Sequence, residues 1–558
     1  MCKVATSRND KKSKVKSSKR SYFENMQLSD EKFREIFPFP QPRANQREII
    51  EKILTAYENG KRYVILNAPT GIGKSAIGYS VSRYYGSSNI LTSQKVLQEQ
   101  YYKDFKIPYV LGRANYSCTK NTSLSCELGM CFRVPTKFCR NAKKEVACPY
   151  LVAKEKCLSS PYTNLNYSYF LSLFGKDEEN AGYAGRRRVL VCDECHSLDS
   201  ELLNQCTVRI DTDTLKFANL SSFKLPSLSL NDKEKIRWLI VDVFEAIRAN
   251  QLYLKNQLNA LTKLKSTAEY KKFAMKFNIV KQLATSIFLM KEMHEHGEHI
   301  VISQTPTSIE YKMLHCNQLF DAYLGDKADF FLFMSATVLN YKSFAKTLGL
   351  NLDEVEYIEC PSLFPVENRL IHYQPVGSMS KSKKDETFPK LLKMIDRILR
   401  ENPDVKGIIH TVSYDVAVRI MDGLAFSDQA YRLLMPPKGK QRQLTLDAFY
   451  TSDKPYVLVS PSLMEGIDLK DDLSRLCIIC KVPYANLGDK WTKTRMEEDP
   501  EWYLTLACMN IIQMSGRSIR SDTDYAKTYI LDSDFEKLAM HSIDIIPKWW
   551  QESVVVGS

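Results

Sequence analysis

The apolar run Tyr63-Val64-Ile65-Leu66 leads into Ala68-Pro69-Thr70-Gly71-Ile72-Gly73-Lys74-Ser75, and helical spacing begins near Lys74. Buried strand, glycine-bearing turn, then helix is an order that few folds accommodate. It calls for a parallel sheet covered by helices on both faces. Gly71 and Gly73 let successive backbone N–H groups curl around an anion at a helix N-terminus, where the helix dipole favours negative charge. In such a loop Lys74 reaches the outer phosphates of a nucleotide and the Ser75 hydroxyl ligates Mg²⁺, with Thr70, Gly71 and Gly73 lining the turn. The stricter pattern has glycine at the position of Ala68, so the match is to an A-x-T-G-x-G-K-S variant.

A second strand supplies the partner. Val189-Leu190-Val191-Cys192 delivers Asp193 to a strand end, where it can hold the Mg²⁺ shell, and Glu194 beside it can polarise an attacking water. Cys192, Cys195 and His196 suggest zinc, but strand alternation is expected to point the two thiols apart. Cys477 and Cys480 read as core strand in the same way. Far along the chain, Gln513-Met514-Ser515-Gly516-Arg517-Ser518-Ile519-Arg520 carries two arginines three apart. If a second α/β domain docks over the first, Gln513 and the guanidinium groups of Arg517 and Arg520 complete the nucleotide site and stabilise charge developing at the γ-phosphate.

The length of 558 residues exceeds what one core can serve. The fold expected is α/β, with two parallel-sheet domains and two insertions in the first. Residues 1–25 form a basic tail expected to be disordered. The first domain takes residues 26–111, 161–204 and 301–355, the second 356–558. Between them, 112–160 is a Cys-rich insert and 205–300 a mostly helical one, its near-heptad spacing suggesting antiparallel helices. No run approaches the ~18 apolar residues of a membrane helix. The net charge of +13 favours polyanionic partners. Six of the fifteen cysteines fall between Cys118 and Cys157. Without a secretory signal they are expected to be reduced, and such a cluster points to metal rather than disulfides.

The order of residues 68–75, Asp193-Glu194-Cys195-His196, Met334-Ser335-Ala336-Thr337, Glu465-Gly466-Ile467-Asp468 and residues 513–520 resembles superfamily 2 helicases. More narrowly, residues 112–118, Cys148-Pro149-Tyr150, Asn166-Tyr167 and the DECH box resemble the XPD/DinG (Rad3-like) branch of iron–sulphur helicases. That resemblance implies two RecA-like motor domains and assigns further roles. Gln46 reads adenine, Ser335 and Thr337 link hydrolysis to DNA binding, and Glu465 and Asp468 lie at the face between the domains. It also implies a [4Fe–4S] cluster held by Cys118, Cys126, Cys131 and Cys148, with Cys139 the alternative to Cys126; zinc or a metal-free insert are the other readings. Cys157 is expected to be packing. The helical insert becomes an arch beside a hole for single-stranded DNA.

The resemblance implies an ATP- and Mg²⁺-dependent DNA helicase moving 5′→3′ on single strands, acting on single-stranded and forked DNA as a monomer. Replication or repair proteins are its expected partners. A non-unwinding, ATP-dependent nucleic-acid remodeller or scaffold is the rival reading. A nuclease–helicase fusion is disfavoured because no clustered carboxylates form a two-metal site. The expected location is cytoplasmic in a prokaryote or a virus-infected host, and nuclear in a eukaryote.

Overall fold

In a computed structural model the described residues are 26–129, 147–174, 186–264, 267–437, 439, 441–461, 469, 471–516 and 524–557. The expected basic tail, residues 1–25, lies outside them. In chain order the strands are β1 (Tyr63–Asn67), β2 (Ser88–Thr92), β3 (Tyr162–Asn166) and β4 (Arg187–Asp193). Next come β5 (Val208–Asp211), β6 (Ile300–Gln304), β7 (Ser308–Met313), β8 (Ala328–Ser335) and β9 (Val355–Glu359). The last group is β10 (Ile371–Gly377), β11 (Gly407–His410), β12 (Leu433–Leu434), β13 (Val457–Ser460), β14 (Leu476–Ile479), β15 (Lys527–Asp532) and β16 (Val554–Val556).

The first sheet runs β3-β2-β4-β8-β1-β9, and all its pairings are parallel. Its two faces follow from alternation along each strand. Tyr63, Ile65, Leu190, Cys192, Phe331 and Phe333 enter one core. Val64, Leu66, Val189, Val191, Leu332 and Met334 enter the other. Pairing sets Asn67 beside Ser335 and Asp193 beside Met334. The carboxyl ends of β1, β4 and β8 therefore sit side by side, the edge at which open α/β sheets bind ligands.

The second sheet runs β12-β13-β11-β14-β15-β10-β16, again wholly parallel. The chain is thus built on two RecA-like α/β domains. The boundary expected after residue 355 moves, because β9 pairs with β1 and belongs to the first sheet. Cys477 and Cys480 are fully buried in the two separate cores of the second domain.

The helical insert contains long helices, Phe244–Leu264 and Thr267–Glu295, packed together. Sequence reading missed its base, a three-stranded antiparallel sheet ordered β5-β7-β6. Helix Lys490–Glu498, which follows β14 in the chain, docks there. The Trp491 indole N–H donates to the Met313 carbonyl (2.7 Å) and Lys312 Nζ sits 3.7 Å from its ring centroid. Arg495, nearly buried, donates to Leu314 O (3.3 Å) and Thr347 Oγ1 (3.0 Å), and His315 Nε2 pairs with Glu498 Oε2 at 3.0 Å.

Arg432 holds the second domain together from inside. It is fully buried, and its guanidinium donates to the carbonyls of Leu399, Asn402, Val405 and Pro455 at 2.7–2.9 Å and to Gln429 Oε1 at 3.0 Å. Arg432→Ala leaves four carbonyls without their donor around a cavity. The expected loss is about 3–5 kcal/mol, measured by urea unfolding. A loss under about 1 kcal/mol would show that water replaces the guanidinium.

Candidate functional site: a phosphate loop facing a second domain

Gly71 (φ +88°) and Gly73 (φ +82°) occupy left-handed conformations that favour glycine, and Lys74 opens helix Lys74–Tyr85. Lys74 Nζ donates to the Ala68 carbonyl (3.2 Å). Thr70 lies at the turn ahead of Gly71, partly buried. Gln46, also nearly buried, braces the loop: its Nε2 donates to Ile72 O (2.8 Å) and its Oε1 accepts from the Arg43 N–H (2.8 Å). An amide has two donor hydrogens and two acceptor positions, so one of each remains after these bonds. Arg43 Nη1 donates to Gly71 O. A Cβ on Gly73 would collide with the Gln46 amide and one on Gly71 with the Phe364 ring, so both neighbours require glycine there.

Asp193 ends β4 with its carboxylate nearly buried beside Lys74. Burial and then the neighbouring Glu194 carboxylate push its pKa up to about 6, against the pull of Lys74. Oδ1 accepts the Glu194 N–H (3.1 Å) and Oδ2 accepts the Tyr101 hydroxyl (2.9 Å). Glu194 itself adopts φ 52°, which turns the chain sharply. Cys192 and Cys195 consequently fall in the same core rather than pointing apart as alternation predicts. Both are fully buried, and burial raises both thiols above their ordinary range.

From Glu194 a line of polar contacts crosses to the second domain. His196 Nδ1 lies 3.4 Å from Glu194 Oε2 and shares a hydrogen bond with Ser335 Oγ at 2.8 Å. Ser335 Oγ accepts the Thr337 N–H (3.1 Å) and is 3.3 Å from Thr337 Oγ1, which accepts from Gln513 Nε2 at 3.1 Å. Ser335, Thr337 and Gln513 are thus brought together with Glu194. Arg517, Arg520, Glu465 and Asp468 lie outside the described residues. The sequence reading missed the role of Tyr101. An aromatic on the buried face of a helix reads as core, and nothing local marks its hydroxyl.

Cys118, Cys126 and Cys148 are all buried in one core. Residues Ser117 and Ser125 bridge as antiparallel backbone, and Cys126 Sγ is 3.6 Å from Cys148 Sγ. Burial, then Cys148, pushes the Cys126 thiol up to about 12. Such thiols ionise when a cation binds them, and an all-sulphur donor set suits iron–sulphur or zinc chemistry. Cys131 and Cys139 lie outside the described residues. Among the described residues no group of three or more His, Cys, Asp or Glu could hold a metal ion. Cys157, fully buried, bonds the Pro108 carbonyl (3.3 Å) as a packing residue. Among the described residues no helix is long and apolar enough to cross a membrane.

Comparison with known proteins agrees with this fold. Residues 395–553 match the model of a helicase C-terminal domain, and residues 39–224 match that of the type III restriction enzyme res subunit. A probable ATP-dependent helicase of Methanocaldococcus jannaschii is 21% identical over 617 aligned positions, spanning 90% of this chain and 93% of that protein. Among solved structures, one titled XPD helicase superposes with a TM-score of 0.65 at 15% identity, covering 93% of this chain and all of that one. The S. tokodaii Xpd4 structure gives 0.58 at 17% identity, covering 92% of this chain and all of its own.

Proposed function

The chain is an ATP-dependent superfamily 2 helicase of the XPD/DinG-like kind, and from that premise we propose that it translocates 5′→3′ on single-stranded DNA and unwinds forked duplexes. Thr70, Gly71 and Gly73 cradle the phosphates of ATP, Lys74 binds the outer ones, and Ser75 and Asp193 meet Mg²⁺. Glu194 activates the attacking water, and Arg517 and Arg520 stabilise the charge on the transferred phosphoryl group from the second domain. Gln46 reads adenine with the hydrogen-bonding positions its loop contacts leave spare, and Asp468 and Gln513 act from the second domain's side of the nucleotide.

The observation that carries this reading is the Glu194–His196–Ser335–Thr337–Gln513 line. It joins the water-activating carboxylate to the second domain through side chains only, so a change at the γ-phosphate has a direct route to domain closure. Alternating closure and opening then ratchets the strand. Phosphate contacts make the grip salt-sensitive and nearly independent of sequence.

Cys118, Cys126 and Cys148, with Cys131 as the fourth thiolate, hold a [4Fe–4S] cluster that staples an insert too small for a core of its own. The protein works as a monomer at the fork alongside replication or repair proteins. Strand displacement on 5′- and 3′-tailed duplexes of DNA and RNA tests the whole reading. Displacement of DNA from 5′ tails alone is the expected result. Unwinding only from 3′ tails would overturn the polarity, and nucleic-acid-stimulated ATPase without displacement would favour a non-unwinding remodeller.

A further inference from the structure

Tyr101 lies on helix Lys95–Phe105, fully buried, with its ring edge-on to Phe105 at a centroid distance of 5.7 Å. Its hydroxyl donates to Asp193 Oδ2 at 2.9 Å. A phenol carries one hydrogen, and here Asp193 accepts it. The second Asp193 oxygen is already oriented by the Glu194 N–H at 3.1 Å.

We propose that Tyr101 is a positioning residue for Mg²⁺, fixing the Asp193 carboxylate through its hydroxyl before nucleotide arrives. The inference rests on the assignment of Asp193 as a Mg²⁺ ligand and adds a group that touches neither metal nor nucleotide. A ligand oriented in advance loses less freedom when the cation binds, and removing such outer hydrogen-bond partners typically weakens metal binding about 10–100-fold.

Tyr101→Phe keeps the ring and removes the hydroxyl that holds Asp193. Calorimetric titration of the full chain with ADP, with Mg²⁺ and with EDTA, separates the effects. Wild-type protein binds ADP more tightly with Mg²⁺. In Tyr101→Phe that gain shrinks about tenfold, ADP affinity in EDTA stays within about twofold, and the Mg²⁺ concentration for half-maximal ATPase rises several-fold. Equal Mg²⁺ gains in the two proteins, or an equal loss with and without Mg²⁺, would overturn the role of Tyr101 while leaving the phosphate loop intact. A wild-type protein whose ADP affinity ignores Mg²⁺ would overturn the ligand assignment as well. Should Tyr101→Phe not fold, 3-fluorotyrosine at position 101 supplies the second measurement. Its ¹⁹F resonance moves when Mg²⁺ joins the ADP complex, and an unmoved resonance counts against the proposal.

Discussion

Glu194→Gln lowers ATP turnover by about 10²–10⁴-fold, the usual contribution of a positioned general base, while nucleotide affinity changes little. Glutamine keeps the shape of the side chain but cannot take a proton from water. Asp193, Ser75 and Lys74 are untouched, so Mg²⁺ and phosphates should still bind. The consequence reaches beyond the chemical step. Glu194 begins the line through His196, Ser335 and Thr337 to Gln513. A protein that binds ATP without hydrolysing it should remain closed on single-stranded DNA and release it slowly. Steady-state ATPase, ADP titration and DNA release kinetics on one preparation check all three effects. Near-normal turnover in Glu194→Gln would remove this residue from the mechanism.

Cys148→Ser is expected to reduce iron from roughly four atoms per anaerobically purified chain to below about one, and strand displacement by at least about tenfold, while nucleotide binding survives. The reason is where Cys148 sits. It precedes helix Pro149–Leu158, and its sulphur lies 3.6 Å from that of Cys126. Two residues on, the Tyr150 hydroxyl bonds that of Tyr169 on helix Tyr167–Phe174 (2.8 Å). Loss of the staple therefore loosens the insert and its seat on the first domain, whereas the phosphate loop belongs to another part of that domain. Cys157→Ser is the matched control: its thiol is also buried but bonds the Pro108 carbonyl and the Asn164 backbone rather than another cysteine, so iron should remain. Iron retained in Cys148→Ser, or zinc in the wild-type chain, would contradict the cluster assignment.

The parts legible in the sequence are those whose function and local backbone coincide. Gly71, Gly73 and Lys74 had to lie between a strand and a helix, and Asp193 had to end a strand, because neither works elsewhere. What escaped notice depends on partners distant in the chain. The strands β5, β6 and β7 are short, and β5 is separated from its partner β7 by the long helices, so no local pattern ties them together. Tyr101 and Trp491 look like ordinary core aromatics until their polar atoms are seen to meet Asp193 and the Met313 carbonyl. Cys192 and Cys195 do not diverge, because strand alternation fails at a residue with positive φ, and Glu194 is one.

The place of β1 in its sheet also fixes the order in which the molecule can be made. The strand carrying the phosphate loop pairs only with β8 and β9, joining Tyr63 to Phe331 and Val355. A nascent chain leaving the ribosome therefore holds β1 with both edges unpaired until residues 328–335 emerge. By then the cysteine-rich and helical insertions have already been translated. Unpaired strand edges invite aggregation, and distant pairings form slowly. Early steps of biogenesis thus fall to the insertions and to the β2-β3 pair, whose strands are neighbours without β1. The nucleotide pocket is a late product of synthesis, assembled only once more than half of the polypeptide exists.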